Sequence, residues 1–96
     1  MLDRGQDSAL LRFSLGGEYL KRGEPRRAIE HLRVALTQDA DYSAAYKLLG
    51  KALTEDGQPD AAKQVYSQGV SVAEKRGDKQ AAKEMTVFLR RLNKAS

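Results

Sequence analysis

The one imidazole in the chain, His31, is the first place to look for proton transfer or metal ligation. It stands between Glu30 and Leu32, with no second histidine, no cysteine and no spaced set of carboxylates to complete a coordination sphere or a nucleophile and base pair. A histidine in that setting reads as a surface residue. Glu30 and Glu84 could serve as an acid and base pair by type, but they belong to different helical segments that nothing in the sequence brings together. Gly16 and Gly17 lie inside a helical pattern and lack the downstream residues of a phosphate-cradling loop or a dinucleotide fingerprint. No catalytic, metal-ligating or cofactor-binding residue follows, no cofactor is expected, and the chain reads as non-enzymatic.

What remains is charge. Seventeen Lys and Arg against thirteen Asp and Glu leave a net charge of +4, a balance that prompts a search for an anionic partner. The excess is uneven: residues 1–42 carry seven basic and seven acidic side chains, residues 43–76 five and four, and residues 77–96 five and two. Lys79, Lys83, Arg90, Arg91 and Lys94 in that last stretch define an alternative reading, a nucleic-acid-associated module whose binding would collapse with salt as phosphate contacts release counterions. Against it stand only six Phe and Tyr, most of them at core-type positions, so few rings are free to stack on bases. A basic closing helix also suits the negative end of its own dipole. With 41% apolar and 31% charged residues the chain has the balance of a soluble globular domain. No apolar run approaches the length of a bilayer and residues 1–7 lack the pattern of a signal peptide, so a cytoplasmic location and no membrane partner are expected.

Helices must position whatever site exists. Leu11, Leu15 and Tyr19 recur at four-residue steps and predict a first helix over 8–22, with Asp7 or Ser8 as its cap and Gly23 as a left-handed stop. Pro25 opens a second helix, 25–38, where a first-turn proline forfeits no hydrogen bond, and Ala28, Ile29, Leu32, Ala35 and Leu36 form its apolar stripe. A third helix, 42–55, carries Tyr46, Leu49, Gly50 and Leu53, and a fourth, 59–76, carries Ala62, Val65, Tyr66, Gly69 and Val70. Ala82, Met85, Leu89 and Leu92 give a fifth, 78–93. Residues 1–7 show no period and are expected to form a flexible tail ahead of a single domain, 8–96. Gly16 and Ala28 are expected to let the first two backbones approach closely, and Gly69 to leave room for a bulky residue from the last helix.

The chain also repeats itself. Leu15, Gly16, Tyr19, Gly23, Pro25, Ala28, Leu32 and Ala35 recur thirty-four residues on as Leu49, Gly50, Leu53, Gly57, Pro59, Ala62, Tyr66 and Gly69. This pattern resembles the tetratricopeptide repeat, with two copies at about 9–42 and 43–76 and a C-terminal capping helix whose Ala82, Met85 and Leu89 answer to Tyr46, Leu49 and Leu53. The resemblance implies an all-α fold, a right-handed superhelix of antiparallel helical hairpins. Ala40 departs from the family, which usually has proline there, and would permit a longer or frayed second helix. Arg12 stands where a large apolar residue is usual, so the N-terminal end is expected to be open, and homodimerisation through it stays an option.

The resemblance further implies a non-enzymatic module that binds a partner peptide or helix in the concave groove lined by the first helix of each hairpin. Carried over residue by residue, the inward positions are Leu10, Phe13, Gly17, Leu20 and Lys21 on the first helix, Ala44, Lys47, Lys51 and Thr54 on the third, and Lys83, Val87 and Arg90 on the fifth. Such a groove would be apolar toward its N-terminal end and basic at the other, suited to an acidic segment or a chain terminus. The family's asparagine-based carboxylate clamp is not matched, because Gly17, Leu48 and Lys51 occupy the positions it needs.

Overall fold

Glycine followed two residues later by proline, or directly by an aspartate cap, punctuates the chain at three turns, and the helix boundaries there fall accordingly. The computed structural model describes residues 7–95, so all but the last residue of the expected 1–7 tail lies outside the described residues. Five helices are present: α1 (Ala9–Lys21), α2 (Pro25–Gln38), α3 (Ser43–Glu55), α4 (Pro59–Arg76) and α5 (Lys79–Ala95). The Ser8 hydroxyl accepts the Leu11 N–H at 3.1 Å and caps α1. The last helix runs past the expected stop at 93 to Ala95, since Asn93, Lys94 and Ala95 include neither glycine nor proline to end it.

Three of the four turns share one device. Gly23, Gly57 and Gly77 have φ of 75°, 75° and 76°, a conformation that a Cβ would strain. Just beyond each, an amide folds back on the preceding helix: Glu24 N–H donates to the Tyr19 carbonyl at 2.9 Å, Gln58 to Leu53 at 2.9 Å and Asp78 to Ala73 at 2.8 Å. The α2–α3 connection has no glycine and is built differently. Asp39 takes an extended conformation, its carboxylate accepts the Asp41 N–H at 3.0 Å, and the Tyr46 hydroxyl donates to the Ala40 carbonyl at 2.8 Å. Alanine in place of the usual proline therefore does not lengthen α2, because this turn stops it at Gln38.

Each helix packs antiparallel on its sequence neighbour, while α1, α3 and α5 also touch along one face. The result is the hairpin-repeat superhelix, with no strand among the described residues. No helix there is long and apolar enough to cross a membrane. At the α1/α2, α3/α4 and α4/α5 seams a glycine lies under a large side chain. A Cβ at Gly16 would come within 2.6 Å of Leu32 Cγ, one at Gly50 would overlap the Tyr66 ring, and one at Gly69 would come within 2.5 Å of Met85 Sδ and 2.6 Å of Tyr46 Cβ. Leu32, Leu49, Leu53 and Met85 are the largest fully buried side chains, so these seams are the core.

Gly50→Ala should destabilise the fold by about 1–3 kcal/mol in urea unfolding, even though alanine is the better helix former, because the buried Tyr66 ring has to move. Gly17→Ala should be neutral or stabilising by up to about 1 kcal/mol, since the nearest atom to a Cβ there is Leu48 Cδ2 at an ordinary 3.6 Å.

Candidate partner-binding groove

On the face shared by α1, α3 and α5, the central helix α3 meets α1 on one side and α5 on the other, with Lys51 between the two. One row of side chains looks toward the next helix along: Phe13, Gly17, Leu20 and Lys21 on α1, and Lys47, Lys51 and Thr54 on α3. The other looks back: Leu48, Lys51 and Glu55 on α3, and Glu84, Phe88 and Arg91 on α5. Where the rows meet near the C-terminal ends of the helices, two clefts open. The first, of about 320 Å³, is lined by Gly17, Leu20, Lys21, Leu48, Lys51 and Glu55. The second, of about 240 Å³, lies between Lys51, Thr54 and Glu55 of α3, Tyr66 of α4, and Phe88, Arg91 and Leu92 of α5. Lys51 and Glu55 wall both.

Near the helix N-termini the same face is filled. The Phe13 ring packs on Tyr42 with centroids 5.0 Å apart, and Lys47 pairs with Glu84 at 3.2 Å. The Ser43 hydroxyl donates to Asp78 at 2.7 Å, and the other oxygen of that carboxylate accepts the Ala81 N–H at 3.2 Å. Asp78 thus caps α5 and ties its first turn to α3, and these bonds hold its carboxyl below the usual carboxylate range, the Ser43 bond first. Tyr66 is pushed up to about 12 chiefly by burial, so its hydroxyl stays protonated.

Of the residues expected in the groove, Gly17, Lys21, Lys51 and Thr54 come together on the clefts, and Leu20 with them. Phe13 and Lys47 share the face but have partners already, Tyr42 and Glu84. Lys83, Val87 and Arg90 are exposed and line neither cleft, and Leu10 is 66% exposed. The α5 residues that meet α3 are instead Glu84, Phe88, Arg91 and Leu92. Aromatic and apolar surface is accordingly present at the basic C-terminal end as well.

With the geometry of two hairpins and a closing helix established, the comparison with known sequences is decisive: the tetratricopeptide-repeat family model matches residues 19–85. The chain is a tetratricopeptide-repeat protein. A TPR repeat-containing protein of Pseudomonas aeruginosa is 54% identical over 95 residues, covering 99% of this chain and 90% of the relative. A Bordetella parapertussis protein known from a solution structure is 44% identical with a TM-score of 0.86, covering 96% of this chain and 80% of that one. The crystal structure of a tetratricopeptide repeat domain protein from Salinibacter ruber gives a TM-score of 0.87 at 26% identity, covering 94% of this chain and 100% of that one. Domains of this family are in general protein-interaction modules.

The tetratricopeptide-repeat frame also explains His31, which is not a free surface residue. In the second repeat Tyr46 occupies the position that Arg12 holds in the first. Arg12 pairs with Asp7 at 2.8 Å and places a guanidinium nitrogen 3.1 Å from His31 Nδ1. A guanidinium can only donate, so Nδ1 is the acceptor and the ring is neutral with its proton on Nε2. The ring stacks on Tyr19, 5.3 Å between centroids and 5° between planes, and Arg22 and Arg27 lie against the same tyrosine at 5.8 and 5.6 Å. A polar ladder thus lies along α1 beside the exposed Leu10.

Burial first, and Arg12 second, pull the His31 pKa below its ordinary 6.5, with Glu30 and Asp7 opposing. The unfolded chain therefore binds the proton more readily, and the stabilisation from neutral His31 is complete above 6.5 and lost as the pH falls through the lowered folded value. The urea midpoint should drop between about pH 7.5 and about pH 5.5, and His31→Gln, which keeps an acceptor but cannot titrate, should flatten that part of the curve.

Proposed function

We propose that this tetratricopeptide-repeat protein is a non-enzymatic adaptor that takes a peptide segment or helix of a partner protein on the concave face of α1, α3 and α5. The surface comprises Leu10, Phe13, Gly17, Lys21, Lys47, Lys51, Thr54, Lys83, Val87 and Arg90, with Leu20, Leu48, Glu55, Phe88 and Arg91 added by the geometry. One observation carries this reading: two clefts stand in line across the C-terminal ends of the three helices, with Lys51 and Glu55 as their common wall. Lys21, Lys51 and Arg91 border them without an ion pair among the described residues, against the single carboxylate of Glu55, which favours an acidic partner. The hairpins hold the surface preformed, so the ordering cost of association falls on the partner segment.

Peptides selected from a random display library on the wild-type protein, then titrated into isotope-labelled protein, should shift the amide resonances of Gly17, Leu20, Lys51 and Thr54. Lys51→Glu should weaken their binding, whereas Lys75→Glu on exposed α4 should not. Shifts confined to the outer faces of α2 and α4 would overturn the groove assignment.

A further inference from the structure

The two clefts differ in one respect that bears on specificity. In the second hairpin Tyr66 lies over Gly50, whereas in the first the smaller Leu32 lies over Gly16. The α3/α5 cleft therefore has an aromatic floor that the α1/α3 cleft lacks. The Phe88 ring meets Tyr66 at 5.6 Å and 32°, and Leu92 completes the walls. At about 240 Å³ the cleft is smaller than the roughly 300–1,000 Å³ of small-molecule sites and suits a single side chain.

Its rim is charged. The Arg91 guanidinium lies against the Phe88 ring, 5.9 Å from the centroid, which holds it at the mouth. Lys51 stands opposite on α3. Neither has an ion-pair partner among the described residues, while neighbouring Lys47 is already neutralised by Glu84. Two cations against Glu55 leave a net positive mouth around an apolar floor.

We propose that the α3/α5 cleft is the specificity socket of the groove, taking one large apolar side chain of a partner segment while Lys51 and Arg91 hold an Asp or Glu next to it in that segment. The inference rests on the groove reading above and narrows it to one kind of partner. The carboxylate is assigned to a side chain and not to a chain end, because Lys51 and Glu55 also wall the α1/α3 cleft and a segment long enough to fill both clefts has to run on past them.

The test uses short fluorescent peptides, acetylated and amidated, with Phe-Asp at the centre, read by anisotropy against the full chain. Binding should weaken by about tenfold or more when Phe becomes Ala, when Asp becomes Lys, and in Arg91→Glu and Lys51→Glu protein. Leu92→Trp, which fills the cleft, should do the same, and Lys79→Glu at the far end of α5 should have no effect. Helical circular dichroism checks that each variant is folded. A free-acid peptide ending in Phe that binds as well as the capped Phe-Asp peptide would overturn the side-chain assignment. Library-selected peptides that map to the concave face yet ignore Arg91→Glu and Leu92→Trp would overturn the socket and leave the groove standing. If no peptide binds that face, both fall. Dimerisation abolished by those same two variants would make a second copy the occupant and overturn the proposal.

Discussion

The fold depends on glycine beneath a bulky neighbour. Gly16 under Leu32, Gly50 under Tyr66 and Gly69 under Met85 are points where a Cβ would overlap the side chain of the next helix, and each glycine lies inside a helix, where it costs up to about 1 kcal/mol relative to alanine. Close packing offsets that cost: with no Cβ in the way, the opposing side chain seats against the helix and is buried. Because each seam joins helices adjacent in sequence, the stack is assembled from local contacts and needs no long-range closure.

The same constraint shapes the surface. What sits on the glycine differs at each seam, and at the second the difference reaches the concave face: Tyr66 gives the α3/α5 cleft an aromatic floor, whereas Leu32 lines neither cleft. At the third seam Met85 is swallowed whole between Gly69 and Tyr46, which anchors α5 at its middle, while Asp78 and Glu84 fix its beginning. Repetition supplies the scaffold, and departures from repetition supply the character of the site.

Most of the scaffold was legible in the sequence because its signals are local. Glycine and proline at fixed offsets marked where α2 and α4 begin, and the close approach at Gly16 and the room at Gly69 were expected, but the side chain over Gly16 is Leu32 and not Ala28, and the Tyr66 ring over Gly50 was not foreseen. The site was less legible. Lys83, Val87 and Arg90 correspond to Lys47, Lys51 and Thr54, the row that looks forward to a following helix, and among the described residues no helix follows α5. The backward-looking row, Glu84, Phe88 and Arg91, was accessible by comparison with Leu48 and Glu55, but only once a central helix is understood to meet a neighbour on either side. The Asp7–Arg12–His31 ladder was beyond reach for another reason: it joins α1 to α2 through a contact nineteen residues apart that no repeat equivalence suggests. Arg12 was visible as an exception, and its partner was not.

Lys51 and Glu55 form a single partition between two compartments. A segment seated in either cleft therefore meets the same lysine and the same carboxylate. Because the two compartments share these side chains, the contacts that a spanning segment makes in them are not independent, and the effects of substitutions on its two halves should not simply add.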